Sequence, residues 1–202
     1  ASVVFITLTL YFRTERDFAT SFRHSFFQVI AQITTTGFAT TDYMKWPAIG
    51  WFFMFLLLFA GGSTGSTTGG IKMARHLIAL RNIKSVFLRL QHPNLVIPIK
   101  LNGKVIPDNI NMMMMLFIFI YLLIFLIGTL LLIITGLPVN EAAGASVTAM
   151  SNVGPGLGAS GNMGNFSAFN DTALGIMTIL MLIGRLELFT FLAIFTRSFW
   201  KN

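Results

Sequence analysis

The chain has 202 residues, of which 54% are apolar, 13% aromatic and only 10% charged, with a formal net charge of +7. At a mean hydropathy of +0.75 too few polar side chains remain to cover a water-soluble globule, so the surrounding medium is a lipid bilayer. The lack of cysteine excludes disulfide and thiol chemistry within the chain, and His24, His76 and His92 are too scattered for the clustered spacing of a metal site.

Residues 1–12 are largely apolar but too few to span a bilayer, and no charged leader precedes them. They are expected to be the tail of a helix cut from a longer chain. A mixed-charge turn, Arg13-Thr14-Glu15-Arg16-Asp17, leads into a short helix expected from about Thr20 to Ile33. That helix ends in the polar string Thr34-Thr35-Thr36-Gly37-Phe38, after which Trp46 and Pro47 turn the chain inward. The apolar run from Pro47 to Ala60 covers only about 21 Å as helix at roughly 1.5 Å per residue, short of a hydrocarbon core of about 30 Å. The segment Gly61-Gly62-Ser63-Thr64-Gly65-Ser66-Thr67-Thr68-Gly69-Gly70 therefore falls at membrane depth. Irregular backbone is tolerated there only against protein or a hydrated cavity. A phosphate-binding loop is the competing reading, but Lys72 is not followed by Ser or Thr and no strand pattern precedes the glycines.

Lys72, Arg75, Arg81, Lys84, Arg89, Lys100 and Lys104 put seven of the fourteen cations into one stretch, with no acid between Asp42 and Asp108. The positive-inside rule assigns this stretch to the cytoplasm. A nucleic-acid surface is disfavoured because membrane segments flank it on both sides. Met112 to Ile134, 23 residues interrupted only by Tyr121, Gly128 and Thr129, reaches about 34 Å as helix and crosses outward once. Val139 to Met150 follows as a half-length helix, with Asn140 expected at the N-cap and Glu141 in the first turn. It dips partway and returns through Ser151 to Gly158. Thr172 to Trp200 is the second full-length candidate, interrupted by Arg185 and Glu187, and it leaves Arg197, Lys201 and the C-terminus on the cytoplasmic side.

The order helix, half-helix, loop, helix thus occurs twice, and an all-α membrane protein is expected. Residues 1–90 form one pore repeat with a truncated first helix, 91–107 a cytoplasmic linker, and 108–202 the second repeat. Gly37 and Gly154 stand 117 positions apart, and superposing them sets Thr34 on Ser151 with little other identity. Glycine tolerates the backbone geometry that points successive carbonyls one way, and such carbonyls replace an ion's hydration shell. Each half-helix would aim its partly negative C-terminal end at the same place, which favours a cation. Flexible outer turns are the plainer alternative for both loops. Arg185, near the middle of a spanning helix, needs a partner. Glu187 lies two positions on, off its face, so the 61–70 loop carbonyls are candidates and Arg185 would pin that loop across the pore. The alternative is a structural arginine satisfied elsewhere in the bundle. Glu141, Asp171 and Glu187 fall in separate elements, with no nucleophile beside a base, so no enzyme is expected. A secondary carrier remains an alternative, because broken helices also build carrier sites.

Four strings in this order, Thr34 to Phe38, Gly62 to Lys72, Ser151-Asn152-Val153-Gly154-Pro155 and Gly184-Arg185-Leu186-Glu187, resemble the Trk/Ktr/HKT superfamily of potassium transporters, in particular the bacterial membrane subunits. In that family four repeats surround one pore in one chain, and this sequence is similar to the third and fourth, with the first two absent. The resemblance implies K⁺ as the transported ligand, held by carbonyls around Thr35, Thr36, Gly37, Asn152, Val153 and Gly154. It implies a gate built from Gly62, Ser63, Thr64, Gly65, Ser66, Thr67, Thr68, Gly69 and Arg185. It further implies the bacterial inner membrane, a homodimer, no cofactor in this chain, and a cytoplasmic nucleotide-binding ring docked on the basic face from Lys72 to Lys104. Na⁺ selectivity or Na⁺/K⁺ coupling is the variant it leaves open.

Overall fold

The computed structural model describes residues 2–14, 17–92, 97–186 and 188–194. Its helices are α1 (Ser2–Arg13), α2 (Phe18–Ile33), α3 (Ala48–Leu57), α4 (Met73–Gln91), α5 (Asp108–Ile134), α6 (Val139–Ser151), α7 (Asp171–Arg185) and α8 (Leu188–Ile194). Two minimal sheets join them: β1 (Ala60–Gly61) runs parallel to β2 (Ile71–Lys72), and β3 (Lys100–Leu101) pairs antiparallel with β4 (Lys104–Val105). The duplicated plan is visible in the packing. Helices α1, α2 and α3 contact one another pairwise, and α5, α6 and α7 do the same.

Among the described residues α5 is the one helix long and apolar enough to cross a membrane. It starts at Asp108, four residues before the apolar run, because Pro107 fixes a φ of −58° ahead of the first turn and Asp108 meets the positive end of the helix dipole. Phe117, Tyr121, Gly128 and Leu132 share its buried face, while Met112, Phe119, Leu126, Leu130 and Ile134 remain exposed on the other. A helix apolar all round with one packed stripe is what a bilayer-facing segment requires.

Helix α6 is buried almost throughout, from Ala142 to Ser151 apart from the half-buried Ala143 at its start. Ala142, Gly144, Ala145, Ser146 and Ala149 keep it thin, so α5 and α7 close on it tightly. A β-carbon at Gly128 would stand 2.8 Å from Leu180 and 2.9 Å from the Ser146 hydroxyl, so glycine is needed where α5 meets α6 and α7. The first trio is smaller, packing Ile6, Leu10, Val29, Trp46 and Met54 together. A Thr7–Ser25 hydroxyl pair links α1 to α2.

Three sequence expectations change. Helix α2 begins at Phe18 rather than Thr20, with Asp17 as the extended N-cap residue. The residue before α6 is Pro138, not Asn140; proline's fixed φ pre-sets the helix entry, and Asn140 falls inside the first turn. The span expected from Thr172 to Trp200 is not continuous: α7 ends at Arg185 and α8 starts at Leu188. The physical reason is local. The backbone of Gly184 is pressed against the Met150 carbonyl, where a β-carbon would overlap it, and Arg185 reaches sideways to the 61–70 loop. Glu187, Arg197 and Lys201, together with Glu15 and Arg16 of the Arg13 to Asp17 turn, lie outside the described residues.

The run from Pro47 to Ala60 also breaks early. Helix α3 stops at Leu57, and parallel pairing of β1 with β2 ties residues 62–70 into a closed loop. Ile71 donates to the Phe59 carbonyl at 2.9 Å and Met73 to Gly62 at 3.1 Å. Parallel pairing returns the chain to its original heading, so α3 and α4 are two halves of one descending segment with a loop inserted between them.

Candidate functional site

The two polar loops have the same backbone. Positive φ occurs at Thr35 (53°) and Gly37 (71°), and at Asn152 (53°) and Gly154 (107°), skipping the residue between in each case. Such alternation turns successive carbonyls to one side. The amide bonds repeat residue for residue. Thr35 donates to Gln32 and Thr36 to Ala31, at 3.1 and 3.0 Å; Asn152 donates to Ala149 and Val153 to Thr148, both at 3.2 Å. Gly37 N–H reaches the Ala31 carbonyl at 3.5 Å, while Gly154 N–H reaches the Thr148 hydroxyl at 3.1 Å. Every loop amide between Thr35 and Gly37, and between Asn152 and Gly154, is thus turned back onto a half-helix end.

The loops touch each other. A β-carbon on Gly37 would overlap the Val153 carbonyl oxygen, whereas one on Gly154 would meet nothing within 4 Å. Gly37 is therefore an inter-repeat contact and Gly154 borders open space. Beyond the first loop, Tyr43 is only 1% exposed and its hydroxyl donates to the Gly156 carbonyl of the second. Burial raises the Tyr43 phenol well above its ordinary range, partly offset by a hydrogen bond with Gln32, so it stays a neutral donor. Gln28 and Asn162 both donate to the Thr41 carbonyl, securing the same region from α2 and from the second repeat.

The inserted loop lies directly at the base of the second polar loop. Gly69 abuts the Ser151 carbonyl so closely that a β-carbon would overlap it. Ser151 Oγ donates to the Leu58 carbonyl, which the break after α3 leaves without a helical partner, and Tyr121 OH donates in turn to Ser151 Oγ at 2.9 Å. Inside the insert, Gly62 N–H bonds Thr68 Oγ1 at 2.9 Å, Thr68 N–H bonds Ser66 Oγ at 3.2 Å, and Ser66 N–H bonds the Ser63 carbonyl at 3.0 Å. Lys72 Nζ reaches Thr64 O at 3.3 Å, and Gly65 has open space around it. Arg185 Nη1 donates to the Thr67 carbonyl at 3.0 Å. Beneath lies a cavity of about 210 Å³ bordered by Thr67, Thr68, Lys72, Arg75, Tyr121 and Arg185.

The structure therefore brings the loop of Thr35, Thr36 and Gly37 against that of Asn152, Val153 and Gly154 through Gly37 and Val153, and seats the 62–69 loop through Gly69 on Ser151 with Arg185 bonded to Thr67. Sequence reasoning missed Tyr43 and Ser151 as ties between the two halves, and Tyr121 as the support of Ser151. Tyr121 carried a signal, a lone polar group within an apolar span; Tyr43 carried none. Among the described residues no group of three or more metal-ligating side chains is present.

The helices and the paired polar loops make up an all-α membrane-transporter fold. A family model, TrkH, described as "Cation transport protein", matches residues 11–201, and the chain belongs to that family. It is 38% identical over 204 residues to the Trk system potassium uptake protein TrkH of Salmonella typhimurium, covering 99% of this chain and 41% of that one. It is 34% identical over 186 residues to TrkG of Escherichia coli strain K12, covering 92% and 38%. The crystal structure of the potassium transporter TrkH from Vibrio parahaemolyticus superposes with a TM-score of 0.91 at 33% identity, covering 99% of this chain and 42% of that one. The chain spans about two fifths of the length of these relatives.

Proposed function

We propose that this chain forms half of a pore for potassium uptake, with a selectivity filter of backbone carbonyls from Thr35, Thr36, Gly37, Asn152, Val153 and Gly154. The observation that carries the reading is the residue-for-residue repetition of positive φ and amide bonding in two loops of unlike sequence. Backbone geometry is retained where side chains differ, as expected when the carbonyls do the binding. Both half-helices, α2 and α6, end at these loops and add partial negative charge there. K⁺ sheds its water into the filter, enters the space below, and passes when the loop Gly62 to Gly69 swings off the axis. Arg185 holds that loop in place through Thr67. The relatives' names, Trk system potassium uptake protein, support K⁺ as the cargo.

The remaining two repeats belong to the parent chain in this reading, which sits in the bacterial inner membrane with its C-terminus cytoplasmic. A homodimer and a cytoplasmic nucleotide-binding ring on the basic segment complete the assembly by family resemblance; this chain itself needs no cofactor. A coupled carrier is the second reading, favoured by the interruptions after Leu57 and after Arg185. The intact parent protein in a planar bilayer with K⁺ on one side and Na⁺ on the other separates the two. A pore gives a steady current reversing near the K⁺ equilibrium potential. Saturable counterflow without resolvable current would overturn the pore.

A further inference from the structure

Ser151 closes α6, is wholly buried, and immediately precedes Asn152 of the second polar loop. It meets both roots of the inserted loop. Its hydroxyl donates to the Leu58 carbonyl ahead of the insert, and its own carbonyl is the surface against which Gly69 packs at the far end. A carbonyl can only accept, so Ser151 gives its one hydroxyl proton to Leu58, and the Tyr121 hydroxyl, 2.9 Å away, donates to Ser151. Leu58 and Tyr121 are each 1% exposed, so solvent replaces neither bond. The Phe59 ring meets Phe125 edge-on at 5.1 Å and Tyr121 at 6.4 Å, which holds the same root against α5.

The first polar loop shows that this reach is not needed to shape a loop. Thr34 occupies the position of Ser151 there, yet its hydroxyl donates within its own helix, to the Ile30 carbonyl at 2.7 Å, and the same backbone forms. The bond from Ser151 to Leu58 therefore serves the insert. We propose that Ser151 couples the inserted loop to the filter, its hydroxyl anchoring one root and its carbonyl seating the other, with Tyr121 as the residue that positions the hydroxyl. The Ser151 carbonyl and the Asn152 N–H share one planar peptide. Gly69 bears on the oxygen of that plane, while its N–H is bonded to Ala149 at 3.2 Å. A loop leaving its seat lets the plane tilt, and a change in the filter backbone presses back on Gly69. By linkage, the factor by which the seated loop changes K⁺ binding is the factor by which K⁺ occupancy changes the open-to-closed ratio. The inference deepens the pore reading and rests on it.

The test is single-channel recording of the intact parent protein, following the open-to-closed ratio as external K⁺ is taken from below to above half-saturation of the current. The wild-type ratio should change about five-fold, the low end of ordinary coupling, and Ser151→Ala, which releases the Leu58 root, should cut that change to under about two-fold. Tyr121→Phe removes only the support of the Ser151 hydroxyl and should fall between. Ser146→Ala is the matched control, because Ser146 is equally buried on α6 and donates instead to the Phe125 carbonyl of α5 at 3.2 Å. Its ratio should follow K⁺ as the wild type does. Thermal melting shows which variants fold, and Tyr121→Phe carries the test if Ser151→Ala does not. The coupling alone is overturned by a wild-type ratio indifferent to K⁺, by a folded Ser151→Ala or Tyr121→Phe protein that keeps the wild-type dependence, or by an equal loss in Ser146→Ala. A folded wild type that carries no K⁺ current would overturn the pore reading itself, and the coupling with it.

Discussion

Removing the Arg185 guanidinium tests the proposed gate, because its Nη1 bond to the Thr67 carbonyl ties α7 to the inserted loop. A hydrogen bond from a charged donor contributes about 1.5–3 kcal/mol. Arg185 is exposed in this chain, so solvent screening brings its contribution just below that range, to about 1.4 kcal/mol, or roughly ten-fold in the closed-to-open ratio. Arg185→Ala in the intact protein should therefore raise rubidium efflux from proteoliposomes about ten-fold while the wild-type loop is mostly closed. Arg185→Lys keeps the charge but replaces a planar fork by a point donor, and should fall between. Single-channel recording should show longer openings at unchanged unitary current. A folded Arg185→Ala protein with wild-type open times would refute the reasoning, as would one with reduced unitary current.

Gly69→Ala places a methyl group on the Ser151 carbonyl, which disfavours the seated loop, so its flux should rise in the same direction as that of Arg185→Ala. Gly37→Ala combines left-handed strain with overlap on the Val153 carbonyl, whereas Gly154→Ala carries strain alone. Differential scanning of the intact protein should show the first destabilised by more than the roughly 1–2 kcal/mol that strain supplies, and the second by about that amount. Tyr43→Phe leaves the buried Gly156 carbonyl without its donor, a cost of about 1–3 kcal/mol beside the second polar loop; if that loop is the filter, Rb⁺ over Na⁺ preference should narrow, measured by competition. Because the folded Tyr43 phenol titrates above its ordinary value of 10.0, its stabilising part persists below that pH and is lost as pH rises beyond it. Melting curves should therefore show a steeper alkaline loss for wild type than for Tyr43→Phe.

Helix α5 was legible because an uninterrupted apolar run needs no tertiary context. The half-length α6 was legible for the opposite reason, since twelve residues before a polar string cannot reach across. The loops' common backbone was not, because it depends on which amides return to Ala31 and Thr148, and the side chains at 35 and 152 or 36 and 153 do not encode that. The end of α7 at Arg185 was also hidden. It follows from Gly184 meeting Met150 and Arg185 meeting Thr67, contacts that no local pattern announces. Tyr43 read as an ordinary aromatic; its partner lies 113 residues away.

The central claim is that the carbonyls around Gly37 and Gly154 select potassium. Radioactive rubidium uptake into proteoliposomes carrying the intact parent protein, wild type against Gly154→Ser, with K⁺ or Na⁺ as competitor, tests it most directly. Gly154 borders open space at a φ of 107°, so serine perturbs the loop backbone without disturbing a packed neighbour. The account predicts that rubidium enters, that K⁺ competes far better than Na⁺, and that Gly154→Ser narrows the difference. Rubidium entry with a K⁺ preference untouched by the substitution would contradict it, and so would a folded, ungated wild type that passes no rubidium.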